Sequence, residues 1–163
     1  MHLGGYCPGC GGGAGNQSCA IAKCSLEHGN LQFCWECPEY PCPRYKGFDD
    51  GDSFVSHRNR QQDIARIREL GLDAFLAQLE KKRTILDELL ARCNDGRRKT
   101  LFHTAGYLLP LEDLCSVMAA LGNRPELEEQ TVKERALAAV ELLQEAADRR
   151  NICLKLNKKA KKG

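Results

Sequence analysis

The stretch "FCWECPEYPCPRY", Phe33–Tyr45, places three cysteines and three prolines within thirteen residues. Its reading decides how the first third of the chain folds. The surrounding residues, Met1 to about Asp52, are rich in Cys, Gly and Pro and show no long helical period. Such a segment buries too little apolar surface to offset its ordering entropy, so something other than a core must hold it.

Seven of the ten cysteines fall in this region: Cys7, Cys10, Cys19, Cys24, Cys34, Cys37 and Cys42. Two of the spacings are C-x2-C, "CPGC" and "CWEC", and a turn of that kind points two sulfurs at one centre. Two such turns in a chain without a recognisable secretion signal point to a tetrahedral thiolate site and to zinc as the ion. Two pairings are open. In a cross-braced module Cys7 and Cys10 join Cys34 and Cys37, while Cys19 and Cys24 join Cys42. In a sequential one Cys7, Cys10, Cys19 and Cys24 share one ion, and Cys34, Cys37 and Cys42 the other. Either way one site is a ligand short, and His28, four residues beyond Cys24 on a short helix, is the candidate to fill it.

Other chemistries for the same thiols are an iron–sulfur cluster, a thioredoxin-like redox pair and a disulfide staple. The cluster is the main alternative, although the compact C-x2-C-x2-C run is absent. The redox pair lacks a βαβ setting, and the staple does not suit the reducing, cytoplasmic compartment that the signal-free "MHLGGYCPGC" start leads us to expect. The run "GGGAG", Gly11–Gly15, reads as a loop between ligand pairs, since no GK[ST] follows it.

From Asp52 onward the pattern is helical. Ile64, Ile67 and Leu70 recur at helical spacing and Gly71 is a stop. Asp73 is expected to cap a helix carrying Phe75, Leu76, Leu79, Leu86, Leu89, Leu90 and Cys93 on one side, with "NDG" ending it. "RRKTLFHTAGYLL" predicts another helix despite Gly106. Pro110 opens the next, whose apolar face is Leu114, Cys115, Met118 and Leu121. Thr131 and Glu134 have capping-box spacing ahead of a long helix through Val140, Leu143 and Ala147. "NICLKL" alternates and predicts a lone edge strand, with Cys153 opposite Ile152 and Leu154. The expected fold class is therefore mainly α, or α+β if that strand forms. The expected organisation is a metal-held module over 1–52, a helical domain over 53–157 and a basic, disordered tail over 158–163.

At 163 residues, 42% hydrophobic and 28% charged, the chain belongs with globular proteins. No apolar run reaches the roughly 18–20 residues that a membrane-spanning helix needs. Charge is uneven: from Arg149 to Gly163 there are seven basic residues and no acid. Nucleic acid is thus a weakly supported partner, and a protein partner the expected one. His57 and His103 stand without a paired nucleophile, and Phe33, Trp35, Tyr40 and Tyr45 read as a miniature core around the ligand turns. No acid–base constellation points to an enzyme, and the alternative to an interaction module is an iron–sulfur or open-site zinc protein with a redox or catalytic role, since a site one ligand short is what catalytic zinc requires.

The order "CPGC", "CAIAKC", "FCWECPEYPC", followed by "RIRELGLDAFLAQLEKK", resembles the prokaryotic cysteine-rich family known as domain of unknown function 3795. The resemblance spans Cys7 to Arg83. It implies metal binding by the seven clustered cysteines and leaves activity open. Members often carry a further cysteine cluster upstream; here only His2 precedes Cys7, so the resemblance leaves His2, His28 or water for the remaining position.

Overall fold

The computed structural model describes residues 20–52 and 56–158. Among them, six α-helices follow one another: α1 (Ala20–Glu27), α2 (Arg60–Leu70), α3 (Leu72–Cys93), α4 (Lys99–Leu108), α5 (Leu111–Gly122) and α6 (Val132–Arg149). Short 3-10 turns occur at Cys34–Glu36, Pro43–Tyr45 and Pro125–Glu129. The chain is mainly α, as its periodicity predicts.

Local chemistry sets the helix boundaries. Gly71, at φ +81°, donates its N–H to the Ile67 carbonyl at 2.9 Å, so it ends α2 and also occupies the residue before α3. A side chain at that φ would be strained, which is why one glycine makes this corner. Asp73 therefore lies within the first turn of α3 instead of capping it, and its carboxylate faces the positive end of the helix dipole. Pro110 precedes α5 as expected. The Thr131 capping box forms in full: the Glu134 N–H donates to Thr131 Oγ1 at 3.3 Å, and the Thr131 N–H donates to the Glu134 carboxylate at 2.9 Å.

α3 is the central element, packed against α2, α4, α5 and α6. The core joins Leu86, Leu89 and Cys93 of α3 to Phe102 and Ala105 of α4, Leu114 and Val117 of α5, and Leu143 of α6. Ala136, Ala139, Ala146 and Ala147 are fully buried along α6, so that helix approaches its neighbours backbone-close. Gly106 does not interrupt α4; it is buried against Leu86 of α3, where packing outweighs its poor helix propensity. Phe102, Leu89, Leu109, Leu114 and Leu143 are the largest side chains wholly inside. Each contributes roughly 1.5–3 kcal/mol of transfer free energy.

Three expectations are corrected. Leu76 is 50% exposed, although it falls on the apolar side drawn from the sequence. The buried row is Phe75, Lys82, Leu86, Leu89 and Cys93, so the face turned inward includes a lysine and leaves Leu76 out. Cys115 is exposed, and Val117 takes its place among Leu114 and Leu121 on the buried side of α5. The C-terminal strand is absent: no strand occurs among the described residues. There the carbonyls of Cys153 and Lys155 accept from the Arg58 guanidinium, at 2.8 and 2.9 Å, instead of from a neighbouring strand. Leu154 is nonetheless buried and Cys153 exposed, so the alternation reports burial without pairing.

The same segment is bound to the end of the cysteine-rich region. The buried Asp52 carboxylate accepts from the N–H groups of Asn157 at 2.8 Å and His57 at 3.2 Å, and lies 3.7 Å from the Arg58 guanidinium. Its own N–H donates to the Asn157 carbonyl at 2.8 Å. Nearby, the Arg60 guanidinium stacks 4.0 Å over the Phe48 ring, and His57 meets that ring edge-on at 5.3 Å. Residues 48–52 thus form a clasp with the start of α2 and the C-terminal segment. Of the tail from 158 to 163, Lys158 alone is among the described residues, and it is exposed.

Candidate metal centre

Of the eight side chains expected as ligands, Cys7, Cys10 and Cys19 lie outside the described residues, as do Ser18 and the Gly11–Gly15 run. The other five, Cys24, Cys34, Cys37, Cys42 and His28, line one pocket. Three short devices bring them there.

The first is the end of α1. Gly29, at φ +90°, follows the helix and turns the chain back. Ser25 then holds the returning strand at both of its polar groups: its Oγ donates to the Leu31 carbonyl at 2.6 Å and its carbonyl accepts from the Leu31 N–H at 3.3 Å. Cys24, one residue earlier, is thereby aimed at the following segment.

The second device is the "CWEC" turn. The Cys37 N–H donates to the Cys34 carbonyl at 3.1 Å, closing a 3-10 turn. Glu36 caps it, its carboxylate accepting from the N–H groups of Gln32 at 2.8 Å and Phe33 at 3.2 Å. Glu36 is engaged as a cap and is not among the pocket-lining side chains. The third device repeats the geometry: the Tyr40 N–H donates to the Cys37 carbonyl and the Tyr45 N–H to the Cys42 carbonyl, each at 3.1 Å. Cys34, Cys37 and Cys42 each open a tight turn, and the prolines between them restrict the unfolded backbone.

Around the thiols, Ile21 and Leu31 supply apolar walls, while Tyr40, Tyr45 and Arg44 supply polar ones. Tyr40 and Tyr45 meet edge to face at 5.6 Å, and Phe33 stacks on Trp35 at 4.1 Å. Burial, and then the Cys34 thiol beside it, pushes the Tyr45 phenol well above its ordinary pKa. Tyr40 is raised by burial and by Cys34, with Arg68 acting against both. The Tyr45 hydroxyl is buried without a completed hydrogen bond.

His28 sits just beyond α1. Its Nδ1 is 2.9 Å from the Cys24 carbonyl and 3.5 Å from Cys24 Sγ. A carbonyl can only accept, so Nδ1 carries the proton in this pairing. Among the described residues no group of three or more His, Cys, Asp or Glu side chains is already set to hold a metal ion. What the turns achieve is convergence on one cavity of about 30 Å³.

The remaining cysteines are elsewhere. Cys93 is in the helical core, where burial raises its thiol pKa. Cys115 and Cys153 are exposed. His103 is half-buried, and burial, with Lys99 adding to it, lowers its pKa. Arg44 and Ser25 were not singled out in the sequence; Ser25 could have been, since a serine in the last turn before a glycine is suited to bonding the returning backbone.

The fold and the pocket define a class: an α-helical protein whose N-terminal region gathers cysteines in tight turns. Residues 2–47 match the family described as "Protein of unknown function (DUF3795)", the family that the motif order resembles. The match takes in all seven clustered cysteines and α1, and ends before α2. No curated protein and no solved structure matches the chain. Among the described residues, no helix is long and apolar enough to cross a membrane.

Proposed function

We propose that the cysteine-rich region is a structural zinc module that serves interaction with a protein partner. The observation that carries this reading is the convergence of Cys24, Cys34, Cys37 and Cys42 on one pocket. Thiolates are donors that suit Zn²⁺, and four of them, here two from the C-x2-C turn with Cys24 and Cys42, make the closed coordination of a structural site. The segment also needs such an ion: from Ile21 to Gly51 none of the side chains described is fully buried. Metal-binding free energy replaces the missing core in domains of this kind.

Tyr40, Tyr45 and Arg44 suit shielding and charge compensation around thiolates, which favours a structural role over an open catalytic one. Elemental analysis and an absorption spectrum of the full chain test the reading. Bound zinc without visible absorption is the expected result. Brown protein absorbing near about 400 nm would replace it with an iron–sulfur protein.

A further inference from the structure

We propose that Cys24, Cys34, Cys37 and Cys42 bind one and the same ion, and that the Tyr45 hydroxyl donates a hydrogen bond to the Cys34 sulfur of that site. The proposal rests on the zinc reading above and goes beyond it. Neither pairing open from the sequence joins these four: cross-bracing separates Cys34 and Cys37 from Cys24 and Cys42, and sequential pairing gives Cys24 to Cys7, Cys10 and Cys19.

The geometry points to the third grouping because each cysteine is brought to the pocket by its own local device. Ser25 and Gly29 fold the chain back beside Cys24. The Glu36-capped turn presents Cys34 and Cys37, and the turn closed by the Tyr45 N–H presents Cys42. Four thiolates complete a tetrahedron, so no position is left for His28. Its Nδ1–H already donates to the Cys24 carbonyl, which makes it a positioning residue beside a ligand.

The Tyr45 hydroxyl is the second, independent observation. It is buried, has no completed hydrogen bond, and lies beside the Cys34 thiol. A neutral thiol is a weak acceptor, whereas a metal-bound thiolate is a strong one. Metal binding would remove the Cys34 proton to solvent and make the sulfur beside the Tyr45 hydroxyl a stronger acceptor.

Zinc-dependent protection from alkylation, read residue by residue by mass spectrometry on the wild-type chain, tests the grouping without any variant. Cys24, Cys34, Cys37 and Cys42 should become protected together in one step, separate from Cys7, Cys10 and Cys19. Cys24 moving with Cys7, Cys10 and Cys19, or all seven moving in one step, would overturn it. Protection of none would instead overturn the zinc reading itself. In parallel, the Cys7→Ser/Cys10→Ser/Cys19→Ser variant should hold one Co²⁺ with the charge-transfer intensity of four thiolates. Three-thiolate intensity, or no binding where wild type binds, counts against the grouping. Tyr45→Phe should keep the ion and shift the Cys-to-Co²⁺ charge-transfer band to lower energy; an unmoved band would refute the hydroxyl's role.

Discussion

The helical body and the cysteine-rich region solve the same problem with different physics. In the body, α3 is surrounded by α2, α4, α5 and α6, and Phe102, Leu89, Leu109, Leu114 and Leu143 lose nearly all contact with water. In the region from Ile21 to Gly51 none of the side chains described does so, and order comes from turns, caps and polar clasps. A hydrophobic core scales with the amount of chain that can surround it, and a segment of some thirty residues interrupted by three prolines cannot surround anything. What that segment has instead is four cysteines, Cys24, Cys34, Cys37 and Cys42, lining one pocket.

Four experiments can break or sharpen this contrast. The largest effect is expected from metal removal. Trp35, the sole tryptophan, lies in the cysteine-rich region, so chelation should change its fluorescence strongly while the far-ultraviolet signal and melting of the helical body persist. Simultaneous loss of both signals would show that the two regions do not differ in what holds them. Phe102→Ala comes next, with a cost of about 3–5 kcal/mol in denaturant unfolding of the body and an unchanged metal content.

The junction is smaller and more informative. Asp52→Asn weakens a charge-assisted clasp on Asn157, His57 and Arg58, and should cost about 1.5–3 kcal/mol while accelerating amide exchange at Asn157. Unchanged exchange at Asn157 would remove the clasp from the account. The last experiment concerns Lys82, a buried amine whose Nζ donates to the Tyr107 carbonyl at 3.0 Å. Burial, opposed by Asp63, lowers its pKa from 10.5 to about 8. Between those values the unfolded chain binds the extra proton, so stability should rise with pH across that window and be insensitive to Lys82 below it. Lys82→Met should stabilise the body at neutral pH by about 1–2 kcal/mol and flatten the rise. A destabilised Met variant would mean that the lysine's hydrogen bond outweighs its desolvation.

Asp63, in the same cluster, is pushed the opposite way: burial raises it despite Lys82 and Arg66 nearby. Acid and base are both displaced toward their neutral forms, so desolvation exceeds their mutual attraction. The sequence holds no sign of this, because Lys82 occupies a helical position that usually faces water. Leu76 and Cys115 show the converse. Each lies close to an apolar stripe, and which edge of a stripe faces inward depends on where the neighbouring helix sits.

Local signals, by contrast, were largely legible, the Asp73 cap excepted. The Thr131–Glu134 box, the Gly71 corner and the Pro110 start act within a few residues, so their chemistry is complete in the chain itself. The alternating "NICLKL" misled for a related reason: alternation records burial of Leu154, while a strand also needs a partner, and Arg58 took the carbonyls instead.

The same division runs through the candidate metal centre. By itself the sequence determined that seven thiols crowd one end of the chain, that two pairs have C-x2-C spacing, and that a short helix carries Cys24 four residues before His28. Spacing along a chain cannot say which turns face each other, because loops such as that from Gly29 to Phe33 close at small and similar entropic cost in many directions. Tertiary structure decided that: the Ser25–Leu31 pairing folds Cys24 onto Cys34, Cys37 and Cys42, and hydrogen bonds to Glu36 hold the receiving turn in place.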